Sequence, residues 1–330
     1  MDRPELTRRR WLAGAGAAFI GGLPIQADAQ AGGEAYRILC GFPPGGPADL
    51  ICRKLAERLT ERTKVTAVVE NKVGGSGRVA VAELLRSEAN GLTLLVTPTS
   101  VLTMYPHLYK QLAYDPFVDL APLCTLGATS FALAVGPAVP ETVQTLQDLV
   151  RWGRAQGEVA CGNSGVGSVQ HFLGMLLSRE SGLRFTHVPY RGGAPSMQAV
   201  AGGEVACSIA TESASRSLAQ AGKVRVLATT GTQRSVTFPR VPTFTELGWP
   251  ALQMREWFGA FAPGRTAAPA IERTASHLLA ATAEPGMRET LERQSLLTDH
   301  LSTHELRQAI RAEHDFWAPL VKASGISAEV

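Results

Sequence analysis

The stretch Phe42-Pro-Pro-Gly-Gly-Pro-Ala-Asp49 decides how this chain is expected to fold. A short apolar run at 36–40 precedes it and an amphipathic run over 47–63 includes its end, so the pattern predicts strand, turn and helix. The two glycines permit a tight turn, and the helix start beyond it presents unpaired backbone N–H groups. Such a turn suits an anion, although glycine and proline are also common in ordinary turns between a strand and a helix.

The same local design occurs twice more along the chain. Gly/Ser-rich turns at 74–77 and 162–168 each follow an apolar run and precede an amphipathic one. This alternation predicts an α/β protein with mainly parallel sheets. Because such turns line the crevice beyond the C-terminal ends of parallel strands, the three turns are expected to form the walls of one cleft.

An almost continuously apolar run at 121–137 divides this series of strands and helices. We interpret it as a crossover between two lobes, with residues 32–136 and 234–330 in lobe 1 and residues 137–233 in lobe 2. The C-terminal part is predicted to contain a strand at 257–262 and two helices, at about 268–294 and 303–323. These helices are expected to pack back on lobe 1.

Composition narrows the class of protein. The 330 residues are 45% hydrophobic and 18% charged with a net charge of +3, which indicates a globular protein and argues against nucleic-acid binding. The five cysteines lack CxxC spacing, so neither a zinc site nor a redox dithiol is favoured, and most are expected to be buried. No metal and no cofactor are expected.

The N-terminus carries the pattern of a targeting segment. Thr7-Arg-Arg-Arg-Trp-Leu12 precedes a Gly/Ala-rich apolar run and small residues at 27–31. This indicates an export signal of the twin-arginine type over residues 1–31, cleaved near 29–31. The mature protein is therefore expected in the periplasm.

Two motifs point elsewhere but are incomplete. The run Gly75-Ser-Gly-Arg-Val-Ala80 approaches a dinucleotide fingerprint, but the next strand ends in Thr97 where an acidic residue is needed. The run Gly162-Asn-Ser-Gly-Val-Gly167 approaches a nucleophile elbow, but Val166 occupies a required glycine position. The order and spacing of His171, His187 and Asp148 are not diagnostic of a hydrolase triad. Nucleotide binding and hydrolysis are therefore both disfavoured as functions.

The motifs in their order resemble those of the tripartite tricarboxylate transporter substrate-binding proteins, the Bug family. The matching runs are Gly41-Phe-Pro-Pro-Gly-Gly-Pro-Ala-Asp49, Val69-Glu-Asn-Lys-Val-Gly74, Gly91-Leu-Thr-Leu-Leu95, Tyr114-Asp-Pro116 with Asp119-Leu-Ala-Pro122, Val188-Pro-Tyr-Arg-Gly-Gly-Ala-Pro195 and Val241-Pro-Thr-Phe-Thr-Glu-Leu-Gly248. The resemblance implies a two-lobed periplasmic-binding-protein type II fold with an interdomain ligand cleft. It also implies a small carboxylate ligand, no catalysis, a monomer, and membrane permease subunits or a sensor kinase as partner.

The resemblance further implies which residues bind the ligand. They are Phe42, Gly45, Gly46, Asp49, Gly75, Ser76, Thr97, Thr99 and Ser100 in lobe 1, and Ser164, Gly167, Ser168, Tyr190, Gly193 and Thr211 in lobe 2.

Departures from the family pattern bear on specificity, notably at Ala206, Glu212 and Arg78. If Glu212 faces the cleft it favours a ligand with an amine or hydroxyl, while Arg78 or Arg191 could pair with a second carboxylate; each of the three is equally compatible with a solvent-facing position. Two alternatives remain: an enzyme on the same scaffold that uses Ser164 or Glu212, and a sensor component.

Overall fold

The structure is a computed structural model that describes residues 35–298 and 300–328. The export signal expected at residues 1–31 lies outside the described residues. Within the described ranges, no helix has the length and apolar character needed to cross a membrane.

Within residues 35–298 and 300–328, ten strands form the sheet. They are β1 Tyr36–Cys40, β2 Ala67–Asn71, β3 Thr93–Pro98, β4 Leu120–Val135, β5 Val159–Asn163, β6 Phe185–Pro189, β7 Cys207–Thr211, β8 Arg225–Thr229, β9 Arg255–Pro263 and β10 Leu296–Leu297.

The α-helices surround the sheet. They are α1 Pro47–Thr63, α2 Arg78–Arg86, α3 Ser100–Thr103, α4 Tyr105–Leu108, α5 Leu146–Gln156, α6 Val169–Ser181, α7 Gly193–Ala201, α8 Glu212–Gln220, α9 Ala268–Thr282, α10 Pro285–Arg293 and α11 Thr303–Ser324.

The strand order is β2-β1-β3-β9-β4-β7-β5-β6, with β8 and β10 also paired to β4. Strands β1, β2 and β3 pair in parallel, as do β5, β6 and β7. The centre of the sheet departs from the mainly parallel pairing that the sequence predicts, because β9 runs antiparallel to β3 and β4, and β4 runs antiparallel to β7 and β8. The mixed sheet puts the first and last thirds of the chain side by side.

Strand β4 explains the long apolar run in the sequence. All of its 16 residues are buried. Its first part pairs with β9 and its last part pairs with β7 and β8, so this antiparallel strand lies between the two groups of parallel strands. A strand covered on both faces is expected to be apolar throughout rather than alternating.

Helices complete two sides of the core. The sequence predicts an apolar face of α1 formed by Leu50, Ile51, Leu55 and Leu59. The last three are buried and pack in one cluster with Leu278 of α9, whereas Leu50 is only partly buried. Helix α11 packs against α3 and α4, as expected for a C-terminal helix that returns to the first part of the chain.

The single helix predicted at 268–294 is wrong. Helix α9 ends at Thr282, and α10 starts with Pro285 after Glu284 as its N-cap residue. Proline has no N–H to donate and its ring clashes with the preceding turn, so Pro285 starts a helix rather than continuing one.

The cysteines lie where their apolar surroundings suggested. Cys40, Cys52, Cys124, Cys161 and Cys207 are all buried and free.

Candidate functional site

A cleft lies between the loop after β1 and the starts of α6 and α7. It consists of two adjoining cavities of about 600 and 450 Å³. Their shared lining residues are Phe42, Pro43, Pro98, Gln170, Arg191, Gly192 and Glu256. The combined space is large enough for a small organic ligand.

The loop between β1 and α1 forms one wall, and Asp49 fixes its shape. Asp49 Oδ2 accepts hydrogen bonds from the Gly45 N–H and Arg53 Nε, both at 2.9 Å, and Oδ1 accepts one from Asn71 Nδ2 at 2.9 Å. Burial raises the pKa of this carboxyl, but the three hydrogen bonds outweigh it and bring the pKa below its ordinary value. Gly45 has φ of +84°, which glycine adopts without strain.

The start of α6 forms the opposite wall. The Ser168 hydroxyl caps this helix by accepting a hydrogen bond from the His171 N–H at 3.2 Å. The amides of Val169 and Gln170 belong to the same first turn and have no intrahelical acceptor, and both residues line the cleft.

Helices α7 and α8 also begin at the cleft. Gly192 is the N-cap residue of α7 and provides no side-chain cap, while Gly193 and Ala194 line the cavity. Thr211 caps α8 by accepting a hydrogen bond from the Ala214 N–H at 3.4 Å. With α1 and α6, four helix N-termini therefore face one space, and each contributes partial positive charge.

Two charged side chains line the cleft. Of the described residues in its walls, Arg191 is the only cation and Glu256 the only carboxylate. Arg191 is exposed and has no ion pair with any other described residue. Glu256 Oε1 accepts a hydrogen bond from the Ser100 hydroxyl at 2.6 Å, and burial raises the pKa of Glu256.

A third cavity of about 260 Å³ adjoins the cleft; we call it the aromatic chamber, after Trp257, Phe316 and Trp317 in its walls. It shares Glu256 with the cleft and contains Glu313. Burial, together with the charge of Glu256, raises the pKa of Glu313 to about 7, although Thr99 and Thr103 donate hydrogen bonds to it.

This geometry suits capture of an anion between two walls, and comparison with known proteins agrees. The sequence model of the tripartite tricarboxylate transporter family receptor matches residues 51–326. The chain belongs to this receptor family. Members are receptors, so the protein is a solute-binding protein and not an enzyme.

Individual relatives resemble this receptor over most of their length. Protein BugT of Bordetella pertussis is 29% identical over 304 residues, covering 92% of each chain. The structure described as R. palustris Rpa4515 with adipate has a TM-score of 0.80 at 26% identity, covering 90% of this chain and 98% of that one. The structure of the periplasmic binding protein BugD has a TM-score of 0.77 at 25% identity, covering 90% and 99%.

The receptor's structure brings most of the predicted binding residues together. Those that line the cleft are Phe42, Gly45, Gly46, Ser76, Ser100, Ser164, Gly167, Ser168, Gly193 and Thr211, while Thr99 lines the aromatic chamber.

Four predicted binding residues do not line these cavities. Asp49 is 1% exposed and holds the loop from behind, and Thr97 is fully buried. Tyr190 donates its hydroxyl hydrogen bond to Glu204 at 2.8 Å, and Gly75 accepts a hydrogen bond from Arg78 Nε at 2.8 Å. In this structure these four residues therefore support the walls of the cleft and do not line it.

Of Arg78, Glu212 and Arg191, which the sequence analysis proposed as specificity residues, not all line the cleft. Arg78 lies over the Tyr109 ring, 3.9 Å from its centroid, and is not in the cleft lining. Glu212 is buried and accepts a hydrogen bond from Ser235. Only Arg191 of the three residues lines the cleft.

Sequence reasoning did not find Gln170 and Glu256. Gln170 follows the Ser168 cap by two positions, so its place in the first turn of α6 was a usable signal. Glu256 had no local signal, because its position depends on how β9 enters the sheet.

The receptor's structure also bears on the enzyme alternative. His171 Nδ1 accepts a hydrogen bond from the Gly167 N–H at 3.2 Å, so this histidine supports the loop instead of activating Ser164. Among the described residues, no group of three or more His, Cys, Asp or Glu side chains is placed to hold a metal ion.

Proposed function

We propose that this receptor captures a small carboxylate in the cleft and delivers it to the membrane permease of a tripartite tricarboxylate-type transporter. It acts in the periplasm, after export directed by residues 1–31. Binding is reversible and leaves the ligand chemically unchanged.

The convergence of four helix N-termini with Arg191 carries this proposal. The first turn of a helix offers unpaired backbone N–H groups that donate hydrogen bonds to an anion. An arginine can donate to both oxygens of a carboxylate. Each helix start contributes about 0.3–1 kcal/mol, so hydrogen bonds and exclusion of water must supply the rest of a micromolar affinity of about −8 kcal/mol.

The adipate named for the R. palustris structure supports a carboxylate ligand. That protein shares the fold over 90% of this chain at 26% identity. Adipate is a dicarboxylate of a size that a cleft of this volume accommodates.

The mechanism is closure of two lobes on the ligand. We assign residues 35–136 and 234–328 of the described chain to lobe 1 and residues 137–233 to lobe 2. Strand β4 and the segment between β8 and β9 cross between them, so these two segments are the expected hinge. A ligand that contacts both walls stabilises the closed state by its additional contacts there.

Native mass spectrometry of the exported protein tests the proposal. We expect a co-purified small carboxylic acid at one molecule per chain, which calorimetry with the pure acid then reproduces. Failure of the protein to bind any carboxylate of a broad panel, or conversion of a bound compound into a product, would overturn it.

A further inference from the structure

Glu256 is an unusual residue to find in a cleft that attracts anions. It lines both parts of the cleft and the aromatic chamber, so it stands where the three cavities meet. Its nearest polar partner is the neutral Ser100 hydroxyl, at 2.6 Å. No ion pair within the described part of the chain neutralises it.

No described residue forms an ion pair with Glu256. Arg255, the preceding residue of β9, also lines the aromatic chamber, but successive side chains of a strand point to opposite faces, and burial and the Ser100 hydroxyl, not Arg255, shift the pKa of Glu256. Glu313 on α11 is a second carboxyl and makes the surroundings more negative. From α4, Tyr105 is a neutral phenol whose hydroxyl donates to the Ser76 carbonyl at 3.1 Å. Arg191 lines the same cleft but lies outside ion-pair distance. Glu256 is partly buried, and a carboxylate that loses part of its water is stabilised by a charged partner, but no residue of the described ranges forms an ion pair with it.

The ligand can supply that partner. A compound with carboxylates at both ends would place one of them near Glu256, where the like charges repel each other. A compound with a carboxylate at one end and an ammonium group at the other complements both Arg191 and Glu256. Trp257 and Trp317 line the aromatic chamber together with Glu256, and tryptophan is the side chain that attracts organic cations best.

We propose that Glu256 is a specificity-determining residue that selects ligands carrying an ammonium group as well as a carboxylate. The carboxylate faces Arg191 and the helix starts, and the ammonium group lies against Glu256 at the aromatic chamber. This inference rests on the proposed capture of carboxylates in the cleft and specifies the class of carboxylate.

Probes of matched length test the inference. Calorimetry at pH 8 compares adipate, 6-aminohexanoate, 6-hydroxyhexanoate and hexanoate on the purified protein, and repeats the set one carbon shorter and one carbon longer. We expect the amino acid to bind at least tenfold more tightly than the dicarboxylate in at least one set. In Glu256→Gln the preference should disappear, and the dicarboxylate should bind more tightly than it does to the wild type.

Two further variants separate this effect from damage to the fold. Ser100→Ala removes the neutral hydrogen bond at the site but keeps the carboxylate, so affinity for both probes should change by the same factor and the preference for the amino acid should remain. Glu272→Gln removes an exposed carboxylate on α9 and should behave as the wild type. Circular dichroism and thermal unfolding establish that all variants fold.

The possible results distinguish the two proposals. If carboxylates bind but the amino and dicarboxylate probes differ by less than tenfold, or if the hydroxyl probe matches the amino probe, selection by Glu256 is wrong and carboxylate capture stands. The same holds if Glu256→Gln keeps the preference. If none of the probes nor any of the broader carboxylate panel binds, both proposals fail.

Discussion

The Asp49 carboxylate accepts a hydrogen bond from the backbone N–H of Gly45, four residues earlier, at 2.9 Å. The sequence pattern suggested that this N–H would face an anionic ligand. In the structure Asp49 occupies that donor from the buried side, so the loop is shaped by an internal anion. The cleft-facing donors are instead the first-turn amides of the helices behind the loops.

Replacing Asp49 by Ala should loosen this loop. The Gly45 N–H and the Asn71 amide lose a buried acceptor, which costs about 1–3 kcal/mol of folding free energy. Ligand affinity should also fall, by roughly tenfold, because the wall of the cleft is no longer held in place. Urea denaturation and calorimetry measure the two effects.

Thr145→Ala is the matched control for this substitution. Thr145 caps α5 away from the cleft, so its loss should cost about 1 kcal/mol of stability. Its effect on affinity should be negligible. Equal affinity in the Asp49 variant and the wild type would show that the loop's shape does not matter for binding.

Replacing Arg191 by Ala should weaken carboxylate binding. A charge-assisted hydrogen bond is worth about 1.5–3 kcal/mol, so the dissociation constant should rise by roughly 10- to 150-fold. Arg191→Lys should recover part of the affinity, because it keeps the charge but not the two-pronged geometry. Calorimetry at low and at high salt measures the change.

Arg179→Ala is the control for Arg191→Ala, because it also removes one positive charge from the protein. Arg179 is exposed on α6 and pairs with Glu180 rather than lining the cleft. It should leave affinity unchanged. An Arg191 variant that binds as tightly as the Arg179 variant would remove Arg191 from the site.

The sequence predicted those parts of the fold that depend on local patterns. Helix α1 was predicted with both of its ends, because Pro47 marks the start and the apolar positions Leu50, Ile51, Leu55 and Leu59 share one face. The β4 run was found but its antiparallel pairing was not. Pairing depends on strands that lie far away in the sequence, such as β7 and β9, and leaves no mark in the strand itself.

In the candidate site, too, the residues set by local patterns were predicted and those set by long-range strand pairing were not. Turn residues such as Gly193 reach the cleft because a glycine turn before a helix defines its own geometry. Tyr190, only three positions earlier, turns toward Glu204 instead. Glu256 reaches the cleft because β9 enters between β3 and β4, which no local pattern of sequence encodes.

Glu212 should make stability depend on pH. Burial raises the pKa of Glu212 to about 7, despite the opposing hydrogen bond from Ser235. The folded state therefore holds this proton over a range in which the unfolded state has lost it. The resulting stabilisation is complete below the ordinary pKa of glutamate and is lost as pH rises through about 7, by up to about 3 kcal/mol for a shift of this size.

Glu212→Gln should remove this contribution, so the difference in unfolding free energy between variant and wild type should grow in the variant's favour from pH 5 to pH 8. The difference is the useful quantity, because the half-buried His187, with its pKa lowered to about 4, adds an opposite trend below pH 6.5. Urea denaturation across this range, with Glu272→Gln as the exposed control, measures it. A difference that does not change with pH would show that Glu212 is ionised in the folded state.

Gly167 should tolerate no side chain, because its contact crosses the cleft. Its φ is +74°, and a Cβ there would lie 2.7 Å from Leu108 Cδ2 at the end of α4. Gly167→Ala should cost about 1–3 kcal/mol from backbone strain, and more from the steric clash. Gly222→Ala measures the cost of backbone strain alone, since Gly222 has φ of +68° and open space around it.

The two costs separate in a double-mutant cycle. In a Leu108→Ala background the clash is removed, so the added cost of Gly167→Ala should fall to about that of Gly222→Ala. Urea denaturation of the four cycle members and the Gly222 variant gives the coupling energy. If Gly167→Ala costs no more than Gly222→Ala in the wild-type background, the loop before α6 and the end of α4 are not in contact in solution, and the cleft is more open than the structure describes.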